Sequence, residues 1–222
     1  MARKILDTKK ATHEEWLELR KHSLGGSDAG IVMNMNAYSS TISLYAQKKG
    51  LVKEIEDNEA MRQGRDFEQY VAMRYMEETG KTVRNDNFMY ADDDYDFMTA
   101  NIDRRIVGEN AVLECKTMSS FNGFNLEGGE APPHYYCQCQ HYMMVLGLDY
   151  ADLAVLVYQR GLYIIHIDRN DAFIEQMREA EIDFWQNYIE KDRIPAPDGS
   201  EASIETLKDL YPTGKADTEM EI

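Results

Sequence analysis

The hydrophobic period of this chain changes at Gly80. Before it, apolar residues recur at helical spacing; beyond it, short runs alternate as strands do. Thr12-His-Glu-Glu15 has capping-box spacing ahead of Trp16, Leu19 and Arg20, which predicts a helix over 12–23. Leu24-Gly-Gly-Ser-Asp28 interrupts it. Ser27 or Asp28 is then placed to cap a short helix through Ile31 and Val32, and Ser43 to Lys49 suggests a third. Glu59 to Thr79, closed by Gly80, reads as a long helix with Ala60, Gly64, Phe67, Val71, Ala72 and Tyr75 as its inward stripe. The expected strands are Phe88 to Tyr90, Phe97 to Ala100, a hairpin over 103–116, Ala151 to Tyr158 and Leu162 to Ile167. Pro132-Pro133 opens a helix from His134 to Leu146, ended by Gly147, and a last amphipathic helix spans Asp171 to Ile189. This order predicts an α/β (α+β) domain, helices followed by a mixed sheet crossed by one helix and then a further helix. One domain over 1–197 is expected, with an acidic polar tail over 198–222.

The hairpin, DRRIVGENAVLECK, carries charge where its neighbours ask for a core. Side chains alternate along a strand, so Val112, Glu114 and Lys116 share one face, and Leu113 and Cys115 the other. A turn at Gly108-Glu109-Asn110 brings Asp103 opposite Glu114 and Cys115. Two carboxylates a strand width apart repel each other, and a divalent cation relieves that at least cost. Lys116 then serves to neutralise a phosphate oxygen or lower the pKa of the attacking water, the chemistry of metal-dependent phosphodiester cleavage. Glu68 falls inside the inward stripe of the long helix, where an unpaired carboxylate is costly and a third metal-facing one is satisfied. Gln138 and Tyr142, four apart on one helix face, are suited to orient phosphate or water.

A net charge of −16 argues against a polyanion as partner, but the charge is uneven. Residues 1–80 hold 12 Lys and Arg against 13 Asp and Glu, and residues 81–222 hold 12 against 27, so nucleic acid would meet the N-terminal third and isolated cations such as Arg104, Arg105 and Lys116. No apolar run approaches a membrane span, no secretory leader is evident, and three cysteines suit a reducing compartment, so the expected location is the cytoplasm.

Together these pieces resemble the PD-(D/E)xK nuclease superfamily, and more closely its YqaJ viral recombinase, lambda-exonuclease-like family. The matching segments are Trp16 and Arg20 with Leu24 to Asp28, Gly64 to Glu68, Asn101 to Asp103, Leu113 to Lys116, Pro132 to Met143, and Phe184 to Pro195. The ordered set covers about residues 12–197. The family's aspartate is usually followed by glycine; here Arg104 follows Asp103. The resemblance implies a restriction-endonuclease-like core, a central mixed sheet flanked by helices. It implies that Asp103, Glu114 and the Cys115 backbone carbonyl bind Mg²⁺, with Mn²⁺ able to substitute, and that Glu68 serves a second ion. Lys116 would activate the nucleophile and Gln138 position it. Arg20 and Ser27 would hold a 5′-terminal phosphate, with the helices of 12–56 forming a DNA-end site. Beside what the resemblance implies, Tyr142 is a candidate phosphate or DNA contact from its helix face, and the departure at Arg104 leaves a DNA-facing role open to it. The implied activity is Mg²⁺-dependent 5′-3′ exodeoxyribonuclease action on linear duplex ends, leaving 3′ single strands for phage-type recombination. A homotrimeric ring threaded by DNA and a single-strand annealing protein are the implied partners, and in such a ring the N-terminal cations, Lys48 and Lys49 among them, would line the channel.

The rivals are an endonuclease of the same superfamily and a noncatalytic DNA-binding or assembly module of the same fold. His134, Cys137, Cys139 and His141 imitate a metal cluster, but on a helix residue 139 points away from the other three, so Cys137 and Cys139 read as small buried residues. His22 and His166 are expected to satisfy local hydrogen bonds, and Asp92, Asp93, Asp94 and Asp96 to form a solvated turn.

Overall fold

The computed structural model describes residues 2–53 and 57–212. The chain opens on a strand that periodicity did not announce, β1 (Arg3–Asp7), whose residues are exposed or half-exposed and so show no alternation. α1 (His13–Lys21) begins where its capping box sets it: Thr12 Oγ1 accepts from the Glu15 N–H, and the Glu15 carboxylate from the Thr12 N–H. α2 (Gly26–Val32) starts earlier than expected. Gly25 is its N-cap, and Asp28 is the returning acid, its Oδ2 accepting the Gly25 N–H at 2.9 Å. Ser40 caps α3 (Thr41–Lys48). α4 (Glu59–Thr79) runs from the Asn58 cap to Gly80, whose φ of 71° is the left-handed conformation that glycine tolerates. Its expected stripe holds in the C-terminal half only: Val71, Ala72 and Tyr75 are buried, whereas Ala60 and Phe67 are exposed.

The strands follow as β2 (Val83–Asn85), β3 (Phe88–Ala91), β4 (Thr99–Asn101), β5 (Arg104–Ile106) and β6 (Ala111–Met118). α5 (Pro133–Leu146) then leads to β7 (Tyr150–Val157) and β8 (Gly161–Asp168). α6 (Asp171–Phe184) continues through the wider turns of Trp185–Glu190, and Trp185 stacks on Phe97 with ring centroids 4.9 Å apart. The main sheet is mixed, in the order β2-β5-β6-β7-β8, with β6 and β7 parallel and the remaining neighbours antiparallel. A parallel pair needs a crossover, and α5 is that crossover. β1, β3 and β4 form a second, antiparallel sheet. Asp103 lies between β4 and β5, where the chain passes from one sheet to the other.

Alternation along β6 divides the core. Val112 packs with the α5 and α6 side chains Met143 and Met177, while Leu113 and Cys115 pack with Val71 and Tyr75 of α4. Glu114, two residues beyond Val112, therefore faces α5. The expectation of a polar tail from residue 198 is corrected over its first part: α7 (Glu201–Leu210) packs against α3, with Thr206 Oγ1 2.7 Å from Ser43 Oγ and Ser203 fully buried. The residues of α7 that are buried carry hydroxyls, so the contact did not show as apolar burial. Residues 213–222 of the expected tail, and 54–56 of the expected DNA-end segment, lie outside the described residues. Among the described residues no helix is long and apolar enough to cross a membrane.

Candidate active site

Hairpin register builds the site. Arg104 pairs with Leu113, so Asp103 stands one step further on, opposite Glu114, and the Cys115 N–H donates to Asp103 Oδ2 at 2.9 Å. From the crossover helix, Gln138 Nε2 donates to Glu114 Oε1 at 2.6 Å and to the Tyr142 hydroxyl at 2.8 Å. Lys116 Nζ lies 2.7 Å from the same Glu114 Oε1. Glu114 Oε2 is buried and has no hydrogen-bond partner among the described residues. A buried carboxylate oxygen in that state is costly unless a cation answers it.

The charges agree. Burial and the neighbouring Glu114 carboxylate push Asp103 well above the usual carboxylate range. Burial likewise raises Glu114, with Lys116 opposing. Burial works against the Lys116 ammonium, but Glu114 and Asp103 outweigh it and raise its pKa, so the lysine remains charged. Two acids that resist ionising together, beside a fixed positive charge, form an acidic nest short of cations.

Glu68 reaches the edge of this nest but is paired. Its Oε1 accepts from Arg104 Nη1, and Arg104 also bonds the Asp103 carbonyl at 2.8 Å and Gln69 Oε1 at 3.2 Å. Arg104 is 6% exposed, so the expectation that it faces DNA is corrected: its guanidinium is buried between the sheet and α4, against Glu68. Among the described residues no three His, Cys, Asp or Glu side chains converge as a metal cluster. The donor set that does fit a divalent cation is Asp103 with the unpartnered Glu114 Oε2. Glu68, engaged by Arg104, gives no comparable support for a second ion.

α1 and the start of α2 close the other side of a recess of about 230 Å³ that Asp103, Glu114, Lys116 and Gln138 also line. Arg20 lies 4.8 Å over the Trp16 ring, and its Nη2 donates to the exposed Ser27 Oγ at 2.9 Å. Arg20, Ser27 and Tyr142 thus meet the carboxylates around one cavity. Gly26 is required there, because a β-carbon would stand 2.6 Å from the Tyr142 ring and 3.0 Å from Gln138 Cγ, while Tyr142 is buried and has no room to retreat. Gly26→Ala is expected to cost about 1–3 kcal/mol by overpacking and to slow cleavage by displacing Gln138, measured as Tm and kcat together.

Two pairs that sequence reasoning missed brace the recess. Lys48 Nζ reaches Asp28 Oδ2 and the Arg20 carbonyl, each at 2.7 Å, and its side chain is 6% exposed. Burial alone would raise the Asp28 carboxyl, but Lys48 and Arg20 hold it below its usual range. Lys48 therefore does not line a DNA channel as expected, and Lys49 is held by Asp192 at 2.8 Å. A buried Asp beside Ala29 to Val32 was the available signal that a cation must meet it. The second pair is His141 with Glu181, both fully buried: His141 Nδ1 lies 2.8 Å from Glu181 Oε1, and its Nε2 lies 2.9 Å from the Thr99 carbonyl. Cys137 and Cys139 are buried, His22 and His166 make local bonds to carboxylates, and Asp92 anchors its turn by accepting from the Asp94 and Tyr95 N–H groups.

A mixed sheet with Asp103 at a strand start, Glu114 and Lys116 on the next strand and a crossover helix supplying Gln138 defines the restriction-endonuclease-like fold with a PD-(D/E)xK arrangement. The chain belongs to the family of the YqaJ-like viral recombinase domain, whose profile matches residues 15–149. It is 39% identical over 203 residues to YqaJ of Bacillus subtilis (strain 168), which covers 90% of this chain and 64% of that protein. The chain thus spans less than two thirds of that relative's length. Its fold is shared with an alkaline exonuclease, LHK-Exo, from Laribacter hongkongensis, at a TM-score of 0.67 and 22% identity over 80% of this chain and 93% of the other. A phage-related exonuclease from Haemophilus somnus 129PT aligns at a TM-score of 0.61 and 11% identity, over 77% of this chain and 96% of the other.

Proposed function

We propose that this protein is a Mg²⁺-dependent exodeoxyribonuclease, accepting Mn²⁺, that degrades the 5′-ended strand of linear duplex DNA and leaves a 3′ single strand for recombination. The observation that carries the reading is the buried, unpartnered Glu114 Oε2 beside Asp103 and Lys116. Family membership and a fold shared with exonucleases support it. Asp103 and Glu114, with the Cys115 carbonyl, are the residues to hold the cation. When bound, it supplies a polarised water and stabilises the charge that develops on the phosphate.

The chain's own groups do the rest. Lys116 keeps its ammonium against a phosphate oxygen, where positive charge favours the transition state over the ground state. Gln138 fixes the Glu114 carboxylate and ties it to Tyr142. Arg20, flattened on Trp16 and bonded to Ser27, presents donors to a terminal phosphate, so the end of a strand and its first phosphodiester sit in one recess. The domain so defined includes α7. The proposal extends to a cytoplasmic homo-oligomer, a trimer around the duplex, and to an annealing protein that takes the 3′ strand.

The test compares linear duplexes ending in 5′-phosphate and 5′-hydroxyl with a covalently closed circle, with and without chelator. Release of mononucleotides from the phosphorylated end, about 10-fold or more slower from the hydroxyl end and abolished by chelator, is expected. Cutting of the closed circle would make the enzyme an endonuclease instead, and inertness with every cation would leave a binding module.

A further inference from the structure

Strand β6 leaves the acidic recess and enters a second cavity. Asp103, Glu114 and Lys116 line the first, while Thr117, Met118 and Ser119 line the second, a cleft of about 310 Å³. Its walls are aromatic. Tyr38 meets the His134 ring edge-on at 5.8 Å, Phe124 lies 5.9 Å from His134 on another side, and Tyr135 is 4.1 Å from it. Tyr158, Ala60 and the neutral side chains Gln63 and Asn122 complete the lining, and among the described residues no Asp, Glu, Lys or Arg takes part. In a chain of net charge −16 a neutral aromatic cleft beside the site is a departure from its surroundings. Burial and the charge of Lys116 also lower the His134 pKa, which keeps that ring neutral.

The two cavities share a wall. Lys116 Nζ stands 5.1 Å over the Tyr135 ring, so one residue of the cleft is in contact with the ammonium assigned to the scissile phosphate. Ser119 lies three residues from Lys116, roughly 10 Å along an extended chain. Arg20 and Ser27 line the recess together with Lys116 and are absent from the lining of the cleft. A strand whose terminal phosphate is held there, with its first phosphodiester at Asp103 and Glu114, has the aromatic cleft next to it across the Lys116–Tyr135 wall. A phosphate would find no cation in that cleft; a base would find π-faces, with neutral amides and hydroxyls that serve any base edge.

We propose that the cleft between Tyr38, His134 and Tyr135 receives the unpaired base of the nucleotide on the 3′ side of the bond being cut, stacking it without regard to sequence. Tyr38 is 64% exposed, as a stacking face at the mouth requires and as a core residue would not be. Stacking on such a face is sequence-tolerant because every base has one. The inference rests on the nuclease reading for the placement of the strand, but its test does not need cleavage.

The experiment measures binding of 5′-phosphorylated single-stranded oligonucleotides in chelator by fluorescence anisotropy. One oligonucleotide is intact, one is abasic at the second nucleotide, and one is abasic at a nucleotide far from the 5′ end. For the wild-type protein the second-position abasic site is expected to weaken Kd about 10-fold, the range of one lost base–aromatic stack, and the distant one to leave it unchanged. Tyr38→Ala should bring the second-position penalty close to none and Tyr38→Phe should keep it, with Tm unaltered in both. No penalty in the wild type, a penalty that survives Tyr38→Ala, or no oligonucleotide binding would each overturn the cleft assignment, even where linear duplex is still degraded. The full pattern with no nucleotide release under any cation would retain the base site and remove the nuclease reading instead.

Discussion

Asp103→Asn is expected to end nucleotide release and, in metal-free protein at neutral pH, to raise the melting temperature. The two effects share one cause. Asp103 is buried beside Glu114, and both push its carboxyl well above the usual range. An unfolded Asp titrates near 3.9, so between that pH and the raised folded value the native chain holds a proton that the unfolded chain has lost. Native stability at this position is therefore present at low pH and lost as pH climbs through that window. Asparagine removes the titration yet keeps an oxygen for the Cys115 N–H, so the variant should gain about 1–3 kcal/mol over the wild type at neutral pH, or about 5 °C in a domain of this size. Catalysis should fall by on the order of 10³-fold or more, because a carboxylate proposed to face both cation and phosphate has become neutral. A divalent cation should stabilise the wild type by mass action and leave the variant unmoved. Scanning calorimetry with and without Mg²⁺, beside a nucleotide-release assay, reads all of this, and release near the wild-type rate would take Asp103 out of the mechanism.

Such opposition between stability and activity explains which parts of the site could be seen in sequence. Charged residues at 103, 114 and 116 break an apolar alternation, so the strand pattern itself exposed them, and the turn at 108–110 fixed the register that joins Asp103 to Cys115. Gln138 was legible because Pro133 and Gly147 bound its helix and the helical repeat sets its face beside Tyr142. Contacts between residues distant in sequence left no such mark. Lys48 reads as a surface lysine until α3 is packed on α1 and α2, where its ammonium meets Asp28. Arg104 reads as a free cation until α4 places Glu68 beside it. The same holds for the fold: long helices and the β6–β8 strands were clear from period, whereas β1 has no buried alternation and α7 buries Ser203 and Thr206, so apolar burial did not announce either contact.

The largest loss of stability is expected at Glu181. Its carboxylate and the His141 ring are both fully buried, and Glu181 Oε2 has no hydrogen-bond partner among the described residues. Burial lowers the His141 pKa, but Glu181 and the Thr99 carbonyl outweigh it and raise it, as a ring that donates from both nitrogens requires. Removing one member of a buried pair strands the other, so Glu181→Ala should destabilise by about 3–5 kcal/mol. A histidine whose folded pKa is raised gives stability that is full below its unfolded value, near 6.5, and lost as pH rises through the folded value. The deficit of Glu181→Ala should accordingly be largest at pH 6 and shrink by pH 9, and a deficit independent of pH would mean that the pair is neutral. Function follows through Thr99. His141 holds its carbonyl, its N–H donates to the Leu24 carbonyl at 2.8 Å, and its hydroxyl donates to Ser23 Oγ at 3.0 Å. Leu24 leads directly into Gly25, Gly26 and Ser27. The pair thus acts as a brace behind the proposed terminal-phosphate site. His141→Asn, which keeps one donor, should narrow the preference for a 5′-phosphate by raising KM more than it lowers kcat, since the acidic nest around Glu114 is left in place.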